Sequence, residues 1–227
     1  MVYNNIMEGI FLSRPNRFIA EINIGGNIAP CHVKNTGRCK ELLAPGAKVL
    51  VNKSLNPNRA TKYDLISVWK GRRLINMDSQ APNIIFGEFL RDGKFIDGLN
   101  FIKPEAKYNN SRFDFYIEAG KRKAFIEVKG VTLEENNVAI FPDAPTERGI
   151  KHLNELAACL LEGYEAYVVF IIQMEGIGYF IPNNRTHAEF GRTLKTSASA
   201  GVTALAYDCI VTENSLLVNK SIPIKLL

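Results

Sequence analysis

The chain has 227 residues, 46% hydrophobic and 10% aromatic, enough for a buried core in one large domain or two small ones. No apolar run approaches the roughly 20 residues of a membrane-spanning helix, and MVYNNIMEGIFLSRP at the start has no basic segment leading into a long apolar one. The expectation is a cytoplasmic protein with no membrane partner. Net charge is +5, but residues 1–80 hold 12 Lys/Arg against 5 Asp/Glu while residues 81–227 hold 16 against 18. Such asymmetry suits a module that grips a polyanion, with nucleic acid the expected partner, joined to a near-neutral second module; a basic surface without a ligand is the alternative.

Residues 6–76 read as short strands. GIFLS, RFIAEINI, NIAPCHV, AKVLVNK, KYDLISVWK and RLINM alternate or run apolar between RPN, GG, NTG, APG and NPN, which are turn sequences. Phe18, Ala20, Ile22 and Ile24 fall on one strand face, and Trp69 is expected in the core. Five or six strands in some 70 residues fit a small barrel of the OB type or an SH3-like one. Within it, CHVKNTGRCK places Lys34, Arg38 and Lys40 around an Asn35-Thr36-Gly37 turn, with Gly37 expected at positive φ. A turn ringed by cations can receive phosphate; a solvated hairpin tip is the other reading. The cysteines at 31, 39, 159 and 209 form no C-x-x-C pair and read as buried thiols.

Near residue 80 the polar link MDSQAPN opens a second unit, giving domains of 1–80 and 81–227. A short helix follows in NIIFGEFLRD, with Ile84, Ile85, Phe86, Phe89 and Leu90 covering one side and Glu88 on its polar flank. Next, SRFDFYIEAGKRKAFIEVKGVT reads as a β-hairpin turning at Gly120 and Lys121, which pairs residues whose numbers sum to 241. Phe113, Phe115 and Ile117 then share a core face with Val128, Ile126 and Ala124. On the other face Glu118 meets Lys123, Tyr116 meets Phe125, and Asp114 meets Glu127. Two carboxylates about 5 Å apart at Cβ repel. A hard divalent cation, Mg²⁺ or Mn²⁺, relieves that repulsion, as does a proton shared between them. Lys129 shares the face of Glu127, where a lysine can orient a metal-bound water or stabilise phosphate charge.

After the hairpin come a strand in VAIF and a long helix, with Asp143 as its N-cap, Pro145 in its first turn, and Ile150, Leu153, Ala157, Leu160 and Leu161 on its buried stripe. Arg148, Lys151, His152 and Glu155 take another face. AYVVFIIQM reads as a strand buried on both sides. FIPNNRTHAEFGRTLKTSASAG gives a loop and a helix capped by Thr186, and VTALAYDCIVT and SLLVNKSIPIKLL close the chain as strands. The fold class is α/β (α+β), with helices flanking a mixed sheet.

An Asp on one strand followed by Glu-x-Lys on the next resembles the PD-(D/E)XK nuclease core. SRFDF at 111–115, EVKGVTL at 127–133, FPDAPTERGIKHLNEL at 141–156 and CHVKNTGRCKELLAPG at 31–46 are together similar to the SfsA family, sugar fermentation stimulation protein A. The resemblance implies an N-terminal OB-like β-barrel followed by a mixed-sheet PD-(D/E)XK nuclease-like domain. It implies metal held by Asp114 and Glu127 with Glu105 as a third ligand, and catalysis by Asp114, Glu127 and Lys129. Arg148, Lys151 and His152 would hold phosphate or orient water. Lys34, Asn35, Thr36, Gly37, Arg38 and Lys40 would form a nucleic-acid surface, and Glu88 is a further carboxylate the nuclease pattern offers. The implied function is a nucleic-acid-binding protein, DNA before RNA as its partner, with a Mg²⁺- or Mn²⁺-dependent phosphodiester-cleaving (nuclease) site. The alternative is a non-catalytic, largely sequence-nonspecific DNA-binding regulator linked to sugar metabolism. An enzyme for a small phosphorylated substrate ranks below both, since such a site has no need of a basic barrel.

Overall fold

Turn sequences at close intervals leave the first third of the chain no room for long helices, and the computed structural model, which describes residues 1–226, builds it from strands. These are β1 (Ile6–Asn16), β2 (Ile19–Ile24), β3 (Asn27–Val33), β4 (Lys48–Lys53), β5 (Tyr63–Lys70) and β6 (Arg73–Asn76). β2 pairs antiparallel with β1 and β3, and β4 with β1 and β5. A parallel β3–β5 pairing, Cys31↔Tyr63 to Val33↔Leu65, closes five strands into the OB-like barrel. Inward positions fill it: Ala20, Ile22, Cys31, Val49, Val51, Leu65 and Val68 are all buried. Two aromatic residues depart from expectation, Phe18 from the strand face of Ala20, Ile22 and Ile24 and Trp69 from the core. Phe18 precedes β2 and is 43% exposed, and Trp69 is half-buried at the end of β5, against a surface groove of about 810 Å³ that it shares with Gly25 and Lys48.

The rest of the chain forms α1 (Ala81–Arg91), β7 (Leu99–Tyr108), β8 (Ser111–Ala119), β9 (Arg122–Val131), β10 (Glu134–Glu135), β11 (Val138–Phe141), α2 (Glu147–Leu160), β12 (Glu165–Ile172), β13 (Tyr179–Pro182), α3 (Asn184–Ser199), β14 (Thr203–Val211) and β15 (Leu216–Ser221). Leu227, last in the expected closing strand, lies outside the described residues. The main sheet runs β15-β14-β12-β9-β8-β7, with β9, β12 and β14 parallel and the outer strands antiparallel. α1 packs on one face with Phe115, Ile126, Val128, Val169 and Ile171. On the other face Leu153 and Leu156 of α2 and Phe190 and Leu194 of α3 join Phe125, Val168 and Phe170. β12 feeds both layers, hence its unbroken apolar run. FIP, expected as loop, is instead β13, which pairs parallel with β11 in a small second sheet.

Helix starts differ from expectation in a consistent way. Thr146, not Asp143, caps α2 by accepting from the Gly149 N–H, so Pro145 lies outside the helix. Asn183, not Thr186, caps α3. Both true caps stand three residues before the amide they satisfy. Leu161 is 91% exposed beyond the end of α2, and Ile84 faces solvent on α1. All four cysteines are buried and free, and burial pushes the Cys31, Cys39 and Cys159 thiols up to about 12, which keeps them unreactive. Among the described residues no helix is long and apolar enough to cross a membrane.

Polar contacts join the barrel to the sheet. Lys70 and Arg73 pair with buried Glu134. Gln173 donates to the Asn76 side chain and the Asp78 carbonyl. The first residues also reach across: the Met1 amine pairs with Glu88 at 2.7 Å and Tyr3 N–H donates to Asn214.

Candidate active site

The hairpin turns as its glycine requires. Gly120 has φ +61°, and Ala119↔Arg122 through Phe115↔Ile126 keep the expected register around a two-residue loop. The recorded pairing then stops one residue short of Asp114. Instead of facing Glu127 across a regular ladder, Asp114 turns its Oδ2 to accept from the Val128 backbone N–H at 2.7 Å. Alternation slips at the same point. Phe115 packs on Phe86 of α1, whereas Phe113, two residues earlier, packs on the opposite face against Phe125 and His152. The expectation that Phe113 shares the face of Phe115 and Ile117 is therefore corrected. On β7 the matching irregularity is Glu105, at φ +48° between the pairs Pro104↔Phe115 and Ala106↔Phe113. The β7–β8 ribbon kinks there, as strands often do beside functional sites.

At the kink four groups meet. Asn83, in the first turn of α1, donates to Asp114 Oδ1 at 2.7 Å. On β9, Lys129 Nζ lies 2.6 Å from Glu127 Oε1. His152 of α2 is buried, and its Nδ1 is hydrogen-bonded to that same oxygen. Arg148 Nε points at His152 Nε2, 3.4 Å away. With the Arg148 Nε–H directed at Nε2, the Nδ1 side of the ring is the one that donates to Glu127.

The two carboxylates differ electrostatically. For Glu127, burial is the largest influence and raises its pKa, but His152 and Lys129 together outweigh it and hold the carboxyl below its ordinary value. Asp114 is raised, first by burial and then by the charge of Glu127, against the opposing pull of the Val128 amide, Asn83 and Lys129. Glu127 Oε2 is buried with no partner, and each Asp114 oxygen has spare acceptor capacity. Hard oxygen donors with unfilled lone pairs fit a hard divalent cation. Among the described residues no group of three or more His, Cys, Asp and Glu side chains gathers as a cation cage. That donor count suits Mg²⁺, which binds through one or two carboxylates and otherwise keeps water and substrate oxygens.

The other candidate residues are dispersed. Glu105 is exposed and pairs with Arg112 at 3.2 Å. Glu88 is engaged by the Met1 amine. Lys151 donates to the Asn110 carbonyl at 2.8 Å, toward the β7–β8 turn. His152 was expected to hold phosphate or orient water with Arg148 and Lys151; it is instead buried behind Glu127 and hydrogen-bonded to it. Asn83 had no pattern to mark it: an asparagine after a proline reads as a helix start and nothing more.

On the barrel, Lys34 is tied to the fully buried Asp78 at 2.7 Å. The Asn35 side chain accepts from the Gly37 N–H at 2.8 Å, and Thr36, Arg38 and Lys40 are exposed. Gly37 does not have positive φ; Cys39 does, at +46°. Gly37 is needed for closeness, because a Cβ there would lie 2.2 Å from Asp143 Oδ2. Asn35, Gly130, Thr132 and Asp143 line a polar cavity of about 50 Å³. The barrel loop therefore adjoins β9 one residue beyond Lys129.

Comparison with known proteins agrees along the whole length. Residues 80–215 match the model of the sugar fermentation stimulation protein RE domain, and residues 12–77 that of the SfsA N-terminal OB domain. The sugar fermentation stimulation protein homolog of Desulfitobacterium hafniense (strain DSM 10664 / DCB-2) is 59% identical, covering 100% of this chain and 99% of its own. The homolog of Ruminiclostridium cellulolyticum is 55% identical over 100% of both. Among solved structures, Pyrococcus furiosus SfsA in complex with Ca²⁺ superposes with a TM-score of 0.91 at 26% identity, covering 99% of this chain and 98% of that one.

Proposed function

This chain belongs to the SfsA family, and from that premise we propose that it is a metal-dependent nuclease whose barrel grips the nucleic acid, most simply DNA, that Asp114, Glu127 and Lys129 act on. The observation that carries the reading is the unpartnered, buried Glu127 Oε2 beside Asp114. Asp114 and Glu127 would hold Mg²⁺ or Mn²⁺, which when bound supplies positive charge against phosphate oxygens and acidifies water. The relative solved with Ca²⁺ supports a hard-cation seat in this fold.

The chain's own groups divide the remaining work. His152 and Lys129 keep Glu127 ionised and fix the direction of Oε1. Asn83 and the Val128 amide fix both Asp114 oxygens. Lys129, 15% exposed, can donate to a water or a phosphate oxygen without leaving Glu127. Arg148 is exposed beside His152 and presents its remaining guanidinium donors to phosphate. Exposed Arg38 and Lys40 would meet the backbone further along.

The test is cleavage of end-labelled single- and double-stranded DNA and RNA with Mg²⁺ or Mn²⁺, using wild type, Asp114→Asn, Glu127→Gln and Lys129→Met. The expected result is cleavage by wild type, none above background for the two carboxyl variants, and a loss of about 100-fold or more for Lys129→Met, with thermal unfolding retained. Cleavage persisting in both carboxyl variants refutes the assignment. The competing reading is a DNA-binding regulator without cleavage. Binding by wild type with no cutting of any substrate would support that one.

A further inference from the structure

Phe18, in the turn before β2, does not continue the alternation of that strand. Ala20 and Ile22 at the next alternate positions are fully buried and Ile24 nearly so, yet the Phe18 ring is 43% exposed. The Arg17 guanidinium carbon lies over it, 4.7 Å from the centroid. Its place ties it to the catalytic side. The Phe18 carbonyl accepts from Val33 N–H at 2.7 Å, where the chain enters the Lys34–Lys40 segment. Arg14 then fastens the two loops together, donating to the carbonyls of Arg17 (2.7 Å), Asn35 (2.8 Å), Gly37 (2.9 Å) and Arg38 (3.1 Å). The Asn35–Gly37 turn rests on Asp143 and shares a polar cavity with Gly130, the neighbour of Lys129. Three exposed cations, Arg17, Arg38 and Lys40, flank this path. No ion pair among the described residues engages them.

We propose that Phe18, backed by Arg17, is a base-stacking platform at the barrel's entrance to the active site, and that the polymer it admits is single-stranded nucleic acid. This deepens the nuclease proposal and rests on its assignment of the barrel as the gripping module. Phosphate attraction alone calls for the three cations and has no use for an exposed ring. Inside a duplex the base faces are already stacked, so an exposed ring stacks most readily on an unpaired base, and any base has the π-face it needs. The Arg17 guanidinium adds a planar cation to the same stack. Arg14, spent on four backbone carbonyls, is the brace that keeps platform and basic turn in one orientation.

The experiment is fluorescence-anisotropy binding to the full chain, in EDTA so that nothing is cut. The probes are a labelled oligothymidylate and a blunt duplex of equal length; the proteins are wild type, Phe18→Ala, Phe18→Trp and the double variant Arg38→Ala/Lys40→Ala. Phe18→Ala is expected to weaken oligothymidylate binding by roughly 5- to 100-fold, to change duplex binding less than twofold, and to leave the unfolding temperature in place. Phe18→Trp is expected to retain single-strand affinity, and the double variant to weaken both probes. Unchanged oligothymidylate binding in Phe18→Ala, with both probes weakened by the double variant, overturns the stacking platform and leaves the basic grip standing. Equal loss on both probes in Phe18→Ala also overturns it. No binding of either probe by wild type overturns the gripping module itself, and the platform with it.

Discussion

Glu127 Oε1 receives both Lys129 and His152, while the buried Oε2 receives nothing. A carboxylate so unevenly satisfied has one oxygen fixed in place and the other kept available. Removing the fixing group should therefore blunt the site without unfolding the chain. His152→Ala is expected to lower metal affinity and cleavage by about 10- to 100-fold, measured by calorimetry and by single-turnover cleavage. His152→Asn, which can still donate toward Oε1, is expected to recover part of the loss. Gly37 permits a sharper packing test. Gly37→Ala drives a methyl into Asp143 and should cost about 1–3 kcal/mol in urea unfolding; adding Asp143→Ala should return much of it. That Asp114, Glu127 and Lys129 lie near one another was legible in the sequence because a hairpin turn fixes register, although Asp114 takes the Val128 amide instead of pairing across with Glu127. Asn83 and the burial of His152 were not, since both depend on how helices lie on the sheet, and helical spacing groups His152 with the solvated Arg148 and Lys151.

At the scale of elements, the kink in the β7–β8 ribbon matters most. It carries Phe113 from one core to the other and leaves Asp114 free of ladder pairing to bind the Val128 amide. Nothing in SRFDF announces it, because strict alternation is what a regular strand would also show. The true helix caps were hidden for a related reason: Asp143, Thr146, Asn183 and Thr186 are all chemically able to cap, and tertiary packing selects among them. Thr146→Ala is expected to destabilise the chain by about 0.5–2 kcal/mol in chemical denaturation, whereas Asp143→Ala should spare the α2 start. Most barrel strands were legible to within a residue or two, since turn residues bracket them; β1 was not, because Arg14-Pro15-Asn16, read as a turn, is its last stretch, and Phe18 escaped the pattern because it belongs to the turn before β2.

Over the whole molecule, charge and junction work together. The first 80 residues carry 12 Lys/Arg against 5 Asp/Glu, and part of that excess is committed to the junction. Buried Glu134 takes Lys70, Arg73 and the Asn137 N–H. Burial alone would raise its pKa, but these partners outweigh it and hold the carboxyl below its ordinary value. A carboxyl depressed in the folded state stabilises fully above its unfolded pKa, and that contribution is lost as pH falls through the folded value. Denaturation midpoints from pH 7 down to pH 3, an interval that spans the ordinary carboxylate range, should thus fall more steeply for wild type than for Glu134→Gln. At neutral pH the variant should be the less stable of the two. The cations left over, among them Arg17, Arg38 and Lys40, predict nucleic-acid affinity that declines linearly in log–log plots against salt, a slope the double variant Arg38→Ala/Lys40→Ala should reduce.

The nuclease proposal turns on whether Asp114 and Glu127 seat a cation. Calorimetric titration of Mn²⁺ into the wild-type protein and into Asp114→Ala decides it. One saturable site in the wild type that is absent from the variant is the predicted result. No binding to the wild type, or identical binding to both proteins, would contradict it and leave a basic barrel joined to a sheet that does no metal chemistry.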